Sequence, residues 1–228
     1  FRAKSIEGVG TSTTGFVGPT RKGPVGGTPE LLTSFGDFER IYGGLDNLEY
    51  GTNFLAHSVR AYFDNGGSRL YVARVYAAPG GGDGLASSSD IVANADATRR
   101  ARCVTRFPGQ AGNGRVTIRL QTAPATKRTM NAAPAGAMVR SGSGGGTVFH
   151  IKQNGTWVDG TAGTLDLSGL ADTAAPNGTA EFLSLSVVAT DGDGHTTGFD
   201  DLGFDRTHPL WIGNVLSATP SRRSDALE

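Results

Sequence analysis

The chain has 228 residues, enough for one large domain or two small ones with a buried core. Its 35 glycines exceed the roughly 16 that average usage of about 7% predicts, which favours turn-dense β structure over a helical bundle, since glycine costs up to about 1 kcal/mol inside a helix. Lys+Arg and Asp+Glu balance at 21 each, which argues against a general nucleic-acid binder, and these residues hold neither a run of about 18 apolar side chains nor a signal peptide.

The chain opens on Phe1 rather than Met and ends in the polar run "SRRSDALE", so it is expected to be a piece of a longer protein. From Thr13 to Gly18, "TTGFVG" predicts a short strand. "PTRKGPVGGTPELLTSF" carries three prolines and three glycines and is expected to be a long surface connection. Ser34, with Asp37 three residues on, predicts a capped helix start, and Phe35, Phe38, Ile41 and Tyr42 give that helix an apolar face before Gly43-Gly44 ends it. A second helix is expected where Phe54, Leu55, Val59, Tyr62 and Phe63 draw one stripe, with Asn53, His57 and Arg60 off it.

That helix runs into Asn65-Gly66-Gly67, residues able to take left-handed conformations, and straight out into "SRLYVARVY". Leu70, Val72, Arg74 and Tyr76 fall on one side of this strand and Tyr71, Ala73 and Val75 on the other. Both sides are largely apolar, so the strand is expected to lie in a sheet covered on both faces. "AAPGGGDGLASSS" then lowers the apolar content and suits a linker. Beyond it, strands are expected at 100 to 107, 115 to 121, 147 to 153, 156 to 158 and 181 to 189, with Asn154-Gly155 as a hairpin turn and 141 to 146 as a Gly-rich loop.

Chemistry finds no foothold in the motifs. Gly10 and Gly15 have P-loop spacing, but Phe16-Val17 stand where Lys and Ser or Thr are required, and Gly8-x-Gly10 lacks the third glycine of a dinucleotide site. Asp191, Asp193, Asp200 and Asp201 suggest calcium, yet an EF-hand count from Asp191 puts Leu202 where a bidentate Glu is needed, so a polar turn is the reading. His57, His150, His195 and His208 lack zinc spacing. Cys103, the one cysteine, reads as a small buried hydrophobe, and Arg99, Arg100, Arg102 and Arg106 as a solvated strand face. No catalytic, cofactor-binding or metal residue is assigned, and no enzyme activity is expected.

Read in order, "GVGTSTTGFVG", "GPVGGTPELLTSFGDFERIYGG", "NFLAHSVRAYFDNGGSRLYVARV", "FPGQAGNGRVTIRL" and "DDLGFDRTHPLWIGNVL" resemble the tail sheath proteins of contractile phages and bacterial contractile injection systems, over about residues 8 to 216. The resemblance is most specific at Asn65, Gly66, Gly67 and Arg74, with Pro108, Gly109, Gly112 and Asn113 as a second anchor. It implies structural work for all of them: Asn-Gly-Gly turning a surface helix into a core strand, and Pro-Gly-x-x-Gly-Asn turning into another, with Asn bonding its own main chain.

The resemblance further implies an α+β fold: a partial α/β sheath core of helix-turn-strand units on a sheet, with a β-rich inserted domain. Expected divisions are 1–78 for the first half of the core, 79–97 for a linker, 98–200 for the outer insert and 201–228 for the return toward the core. It implies a mechanical subunit polymerising as stacked hexameric rings around an inner tube, in a virion tail or a cytoplasmically assembled injection particle. Its partners would be other sheath subunits, the inner tube protein, and baseplate and terminator proteins. No cofactor, direct nucleic-acid contact or membrane insertion is implied. The family's N-terminal arm and C-terminal core portion are expected outside residues 1 to 228. The rival reading is a secreted glycine-rich β binding or adhesion module, in which Trp157 and Trp211 would be exposed sugar platforms; packed tryptophans would suit the sheath reading.

Overall fold

A computed structural model describes residues 13–93, 96–142, 146–161 and 163–217. It combines helices with sheets, the largest sheet having 7 strands and being antiparallel throughout. Two compact units divide the described residues: those up to 114 with the short segment 191–194, and those from 115 to 190 with 195 to 217. The segment 79–97 and the start of the expected insert, to residue 114, therefore pack within the first unit.

In the first unit, β1 (Thr14–Gly18), β2 (Leu31–Leu32), α1 (Phe35–Tyr42), α2 (Phe54–Asp64) and β3 (Leu70–Arg74) follow one another. β3 is the centre of a three-stranded sheet, parallel to β1 and antiparallel to β2. A parallel pair needs a long crossover, and here β2, α1 and α2 supply it. The expected surface connection thus contains a strand, with Leu32 fully buried on Leu70. Ser34 caps α1 in a reciprocal capping box with Asp37: the Asp37 amide donates to Ser34 Oγ at 3.1 Å, and the Ser34 amide to Asp37 Oδ2 at 3.1 Å. Leu32, Phe38, Ile41, Tyr42, Ala56, Val59, Leu70 and Val72 form the core. Each large side chain there contributes roughly 1.5–3 kcal/mol of burial before ordering costs.

Three expectations change in this unit. Phe54, placed on the buried stripe by spacing, is 75% exposed at the first turn of α2, and Ala56 and Val59 carry the contact instead. Asn53, placed off the stripe, is fully buried: Oδ1 accepts from the Ala56 amide, and Nδ2 donates to the carbonyls of Gly44 and Asp46. A polar group can be buried when every hydrogen bond is met, which spacing cannot foresee. Finally, among the described residues the sheet is covered on one face only. Leu70, Val72 and Arg74 are buried, whereas Ala73 is exposed, Val75 is 54% exposed and Val17, opposite Ala73, is 72% exposed. An apolar sequence face signals that burial is available, not that a layer in the same chain supplies it.

Residues 79–114 hold a 3-10 turn at 79–81 and the hairpin of β4 (Ile91–Ala93) and β5 (Asp96–Ala101), so β5 ends where a strand from 100 to 107 was expected to begin. Ala86 and Ser88 bond to residues 103 to 105, which leaves Cys103 half-buried. Arg102 pairs with Asp90 at 2.7 Å and Arg106 lies over Phe107.

The second unit is one sheet with a few helical turns: β6 (Arg115–Pro124), α3 (Lys127–Ala132), β7 (Met138–Ser141), β8 (Val148–Gln153), β9 (Thr156–Asp159), β10 (Thr164–Leu165), β11 (Ala180–Thr190), β12 (Thr196–Leu202) and α4 (Ile212–Val215). β11 is its spine, pairing with β6 along one side and with β7 and then β12 along the other. Asn154 (φ 49°) and Gly155 (φ 82°) make the expected tight turn between β8 and β9. α3, β7, β10, β12 and α4 went unpredicted; β12 occupies residues read as part of a polar turn. Its partner β11 supplies the ladder that "TTGFDDL" does not advertise by alternation.

Candidate functional site

The residues singled out by sequence divide between the two ends of β3. At its start, Asn65, Gly66 and Gly67 close α2. Gly67 donates to the Tyr62 carbonyl at 2.9 Å and Gly66 to that of Phe63 at 3.0 Å, the crossed pair of a Schellman ending. Only Gly66 is left-handed (φ 87°). Asn65 stays at φ −96° and its side chain bonds the Ala61 carbonyl, while Gly67 is required because a Cβ there would stand 2.4 Å from the Tyr62 ring. Of the three residues able to take left-handed conformations, one reverses the chain, and the next makes room for an aromatic.

At the far end, Arg74 is 7% exposed. Its Nη1 donates to the Gly23 carbonyl at 2.6 Å and the Pro108 carbonyl at 2.7 Å, and the guanidinium lies over the Tyr76 ring at 5.1 Å. Gly109 (φ 124°) passes so close that a Cβ would sit 2.8 Å from Arg74 Nη2. Two motifs 34 residues apart in sequence thus meet on one side chain. Burial pushes the Arg74 pKa down, opposed by the neighbouring tyrosines Tyr76, Tyr50 and Tyr42. The Nε–H is buried without an acceptor, a cost that the two short charged bonds offset.

Around this junction the backbone is tied further. The Gly109 amide bonds the Gly84 carbonyl at 3.2 Å, Gly112 leaves room for Thr105, and the Gly192 amide bonds the Ala111 carbonyl at 2.9 Å. Arg21 pairs with Asp193. Pro108 to Asn113 lead through a 3-10 turn into β6, but the Asn113 side chain makes no bond to its own main chain; its amide bonds the Gln110 carbonyl instead. Sequence reasoning missed Gly23, Gly84 and Arg21, and weighed Asp193 only as a calcium ligand. Gly23 alone left a signal, a glycine beside proline in "RKGPVGG". The Arg21–Asp193 pair spans 172 positions and leaves none.

A guanidinium held this way braces three segments and exchanges no proton. Elsewhere, the residue types of a hydrolytic triad fall on neighbouring strands of the second unit, a grouping the sequence did not reveal. Ser141 Oγ and His150 Nε2 are 3.1 Å apart, and His150 faces Asp159 across β8 and β9. The arrangement is unsuited to nucleophilic attack. Ser141 is fully buried and accepts from Asn177 Nδ2, His150 Nδ1 has no partner, and Asp159 is engaged by Thr161 and Gly163.

An open groove of about 560 Å³ in the second unit is lined by Lys152, Asn154, Phe204, Asp205 and Arg206 among others. Lys152 is spent inward, its ammonium donating to the carbonyls of Met130, Asn131 and Ala133 at the end of α3 and lying over buried Trp157. Trp211 is half-buried under Arg206. Asp191 and Asp193 lie in the turn before β12, with Asp193 engaged by Arg21. His57 is exposed; Gly8 and Gly10 lie outside the described residues.

No family model and no curated protein matches this chain. Among the described residues no helix is long and apolar enough to cross a membrane.

Proposed function

We propose that the chain is a structural, non-enzymatic subunit of a contractile sheath, polymerising as stacked hexameric rings around an inner tube and contracting to drive that tube through a target envelope. The observation that carries this reading is the Arg74 junction. The two motifs by which the sequence resembles sheath proteins converge on one buried guanidinium, where they brace the chain. In this reading the first unit holds the partial α/β core, and the second holds the β-rich insert from residue 115 together with described residues from 201 on that were expected to return toward the core. The uncovered sheet face at Val17, Ala73 and Val75 is surface for the rest of the core or a neighbouring subunit. Partners would be other sheath subunits, the inner tube, and baseplate and terminator proteins, in a phage tail or an injection particle. The work of contraction would come from new subunit contacts, without cofactor. Trp157, at 2% exposure, offers no platform for the rival sugar-binding module.

Electron microscopy of the native particle, or of the full-length protein with its tube partner, tests this. Sixfold tubes in a long narrow and a short wide form are expected. Discrete globular particles that never form tubes with that partner would overturn the reading.

A further inference from the structure

β6 is 10 residues long and pairs with β11 over its whole length, from Arg115↔Thr190 to Pro124↔Glu181. No strand among the described residues pairs with its other side. Alternate residues of an antiparallel strand turn their N–H and C=O groups to opposite neighbours, so half of these groups in β6 face outward. Edges of this length are ordinarily blunted by charged side chains, lysine above all, by a bulge or by an internal proline. β6 has no lysine, its two charged residues, Arg115 and Arg119, alternate with the apolar row and so share the other face, its register is unbroken, and its one proline is the last residue. Val116, Ile118 and Leu120, 43%, 37% and 55% exposed, form an apolar row beside Ala189, Val187 and Leu185 of β11.

The pattern of this edge says what fits it. In an antiparallel pair of two β6 strands, apolar and polar faces stay in phase only when a residue pairs with its own copy at the centre. Centring on Thr117 sets Arg115 against Arg119, and centring on Arg119 sets that residue against itself, both like-charge pairs that destabilise. Centring on Leu120 sets Ile118 against Thr122 and Val116 against Pro124, which has no amide to donate. Centring on Ile118 sets Ile118 on Ile118, Val116 on Leu120, Arg119 on Thr117 and Arg115 on Gln121. Every apolar residue then meets an apolar one, and each arginine meets a neutral polar residue. The apolar row of Phe199, Val187 and Ile118 would continue across the axis into its copy.

We propose that two copies of this chain pair edge to edge through β6, antiparallel about a two-fold axis at Ile118, making one sheet across the dimer. Such a contact uses the same strand on both copies and closes on itself. It belongs to the free chain and does not rest on the sheath reading, in which neighbours are related about one polar axis by rotation and translation.

The test is sedimentation equilibrium of the chain across micromolar concentrations, with circular dichroism as the check on folding. A dimer is expected, and Ile118→Lys, at an exposed position, should make it a folded monomer. Thr117→Arg, which sets arginine opposite Arg119, should weaken dimerisation about tenfold, and Thr117→Glu should strengthen it by a similar factor. In a Cys103→Ser background, Ile118→Cys should oxidise to a disulfide-linked dimer. Leu120→Cys should not, its copy being roughly 13 Å away along the strand. A chain that stays monomeric, a dimer that survives Ile118→Lys, or crosslinking that is no better at 118 than at 120 would each overturn the proposal.

Discussion

Arg74 shows what one residue can carry. Strand alternation put it on the buried side of β3, and a positive charge there looked out of place among Leu70 and Val72. Its acceptors are carbonyls from loops that no local pattern connects, at Gly23 and Pro108. Replacement by Met keeps much of the volume and leaves both carbonyls without their charged donor. Arg74→Met is expected to destabilise the first unit by about 2 kcal/mol, read as a shift of the urea midpoint at unchanged m-value. Loss of less than about 0.5 kcal/mol would mean that the junction is incidental. The family resemblance singled out Arg74, Pro108 and Gly109, but not their contact. Nothing in "ARV" or "FPGQAGN" specifies that one holds the other.

At the scale of elements, helix ends were the most legible features, because their chemistry is local. The Ser34–Asp37 box and the Asn65-Gly66-Gly67 ending both formed where the sequence placed them. Gly66 has φ 87° with open space around its Cβ position, so the backbone angle alone limits substitution. Gly66→Ala should cost about 1 kcal/mol and Gly66→Asn appreciably less, since Asn tolerates the left-handed region; equal losses in thermal unfolding would argue against this assignment. Strands were legible where apolar residues alternate or a two-residue turn pins them, as in β8 and β9. They were not where pairing depends on a distant partner, as in β7, β12 and the two-residue β2. The stripe of α2 was drawn one position too early at Phe54, because periodicity gives a direction and only the packed neighbours give its limits.

For the whole molecule, one buried and one half-buried histidine of the second unit link stability to pH. Burial holds His150 below its ordinary value of 6.5 against the pull of Asp159, and holds His208 below 6.5 against the charges of Asp201 and Asp205. The folded state therefore binds fewer protons than the unfolded state as pH falls through about 6.5, so stability is full above that pH and declines below it toward the folded pKa values. A separate loss at lower pH is expected near 3.8 and below, as Asp37 gives up bonds from Thr33 and Ser34. Thermal melts between pH 7.5 and 5 should fall in midpoint, and His150→Gln should flatten part of that slope. A flat wild-type profile would show that neither ring is held neutral by the fold.

By itself the sequence determined the mixed helix and strand character, the two helix caps, the Asn-Gly hairpin and the absence of familiar motif chemistry, because each depends on residues within a few positions of one another. The tertiary structure alone decided that β3 is covered on one face, that Asn53 is buried, that Arg74 joins Gly23 to Pro108, and that β6 stands as an open edge. Those outcomes depend on which distant segments arrive and which do not. Burial and hydrogen bonding answer to the neighbours in space, and one-dimensional order fixes those neighbours only through the whole fold.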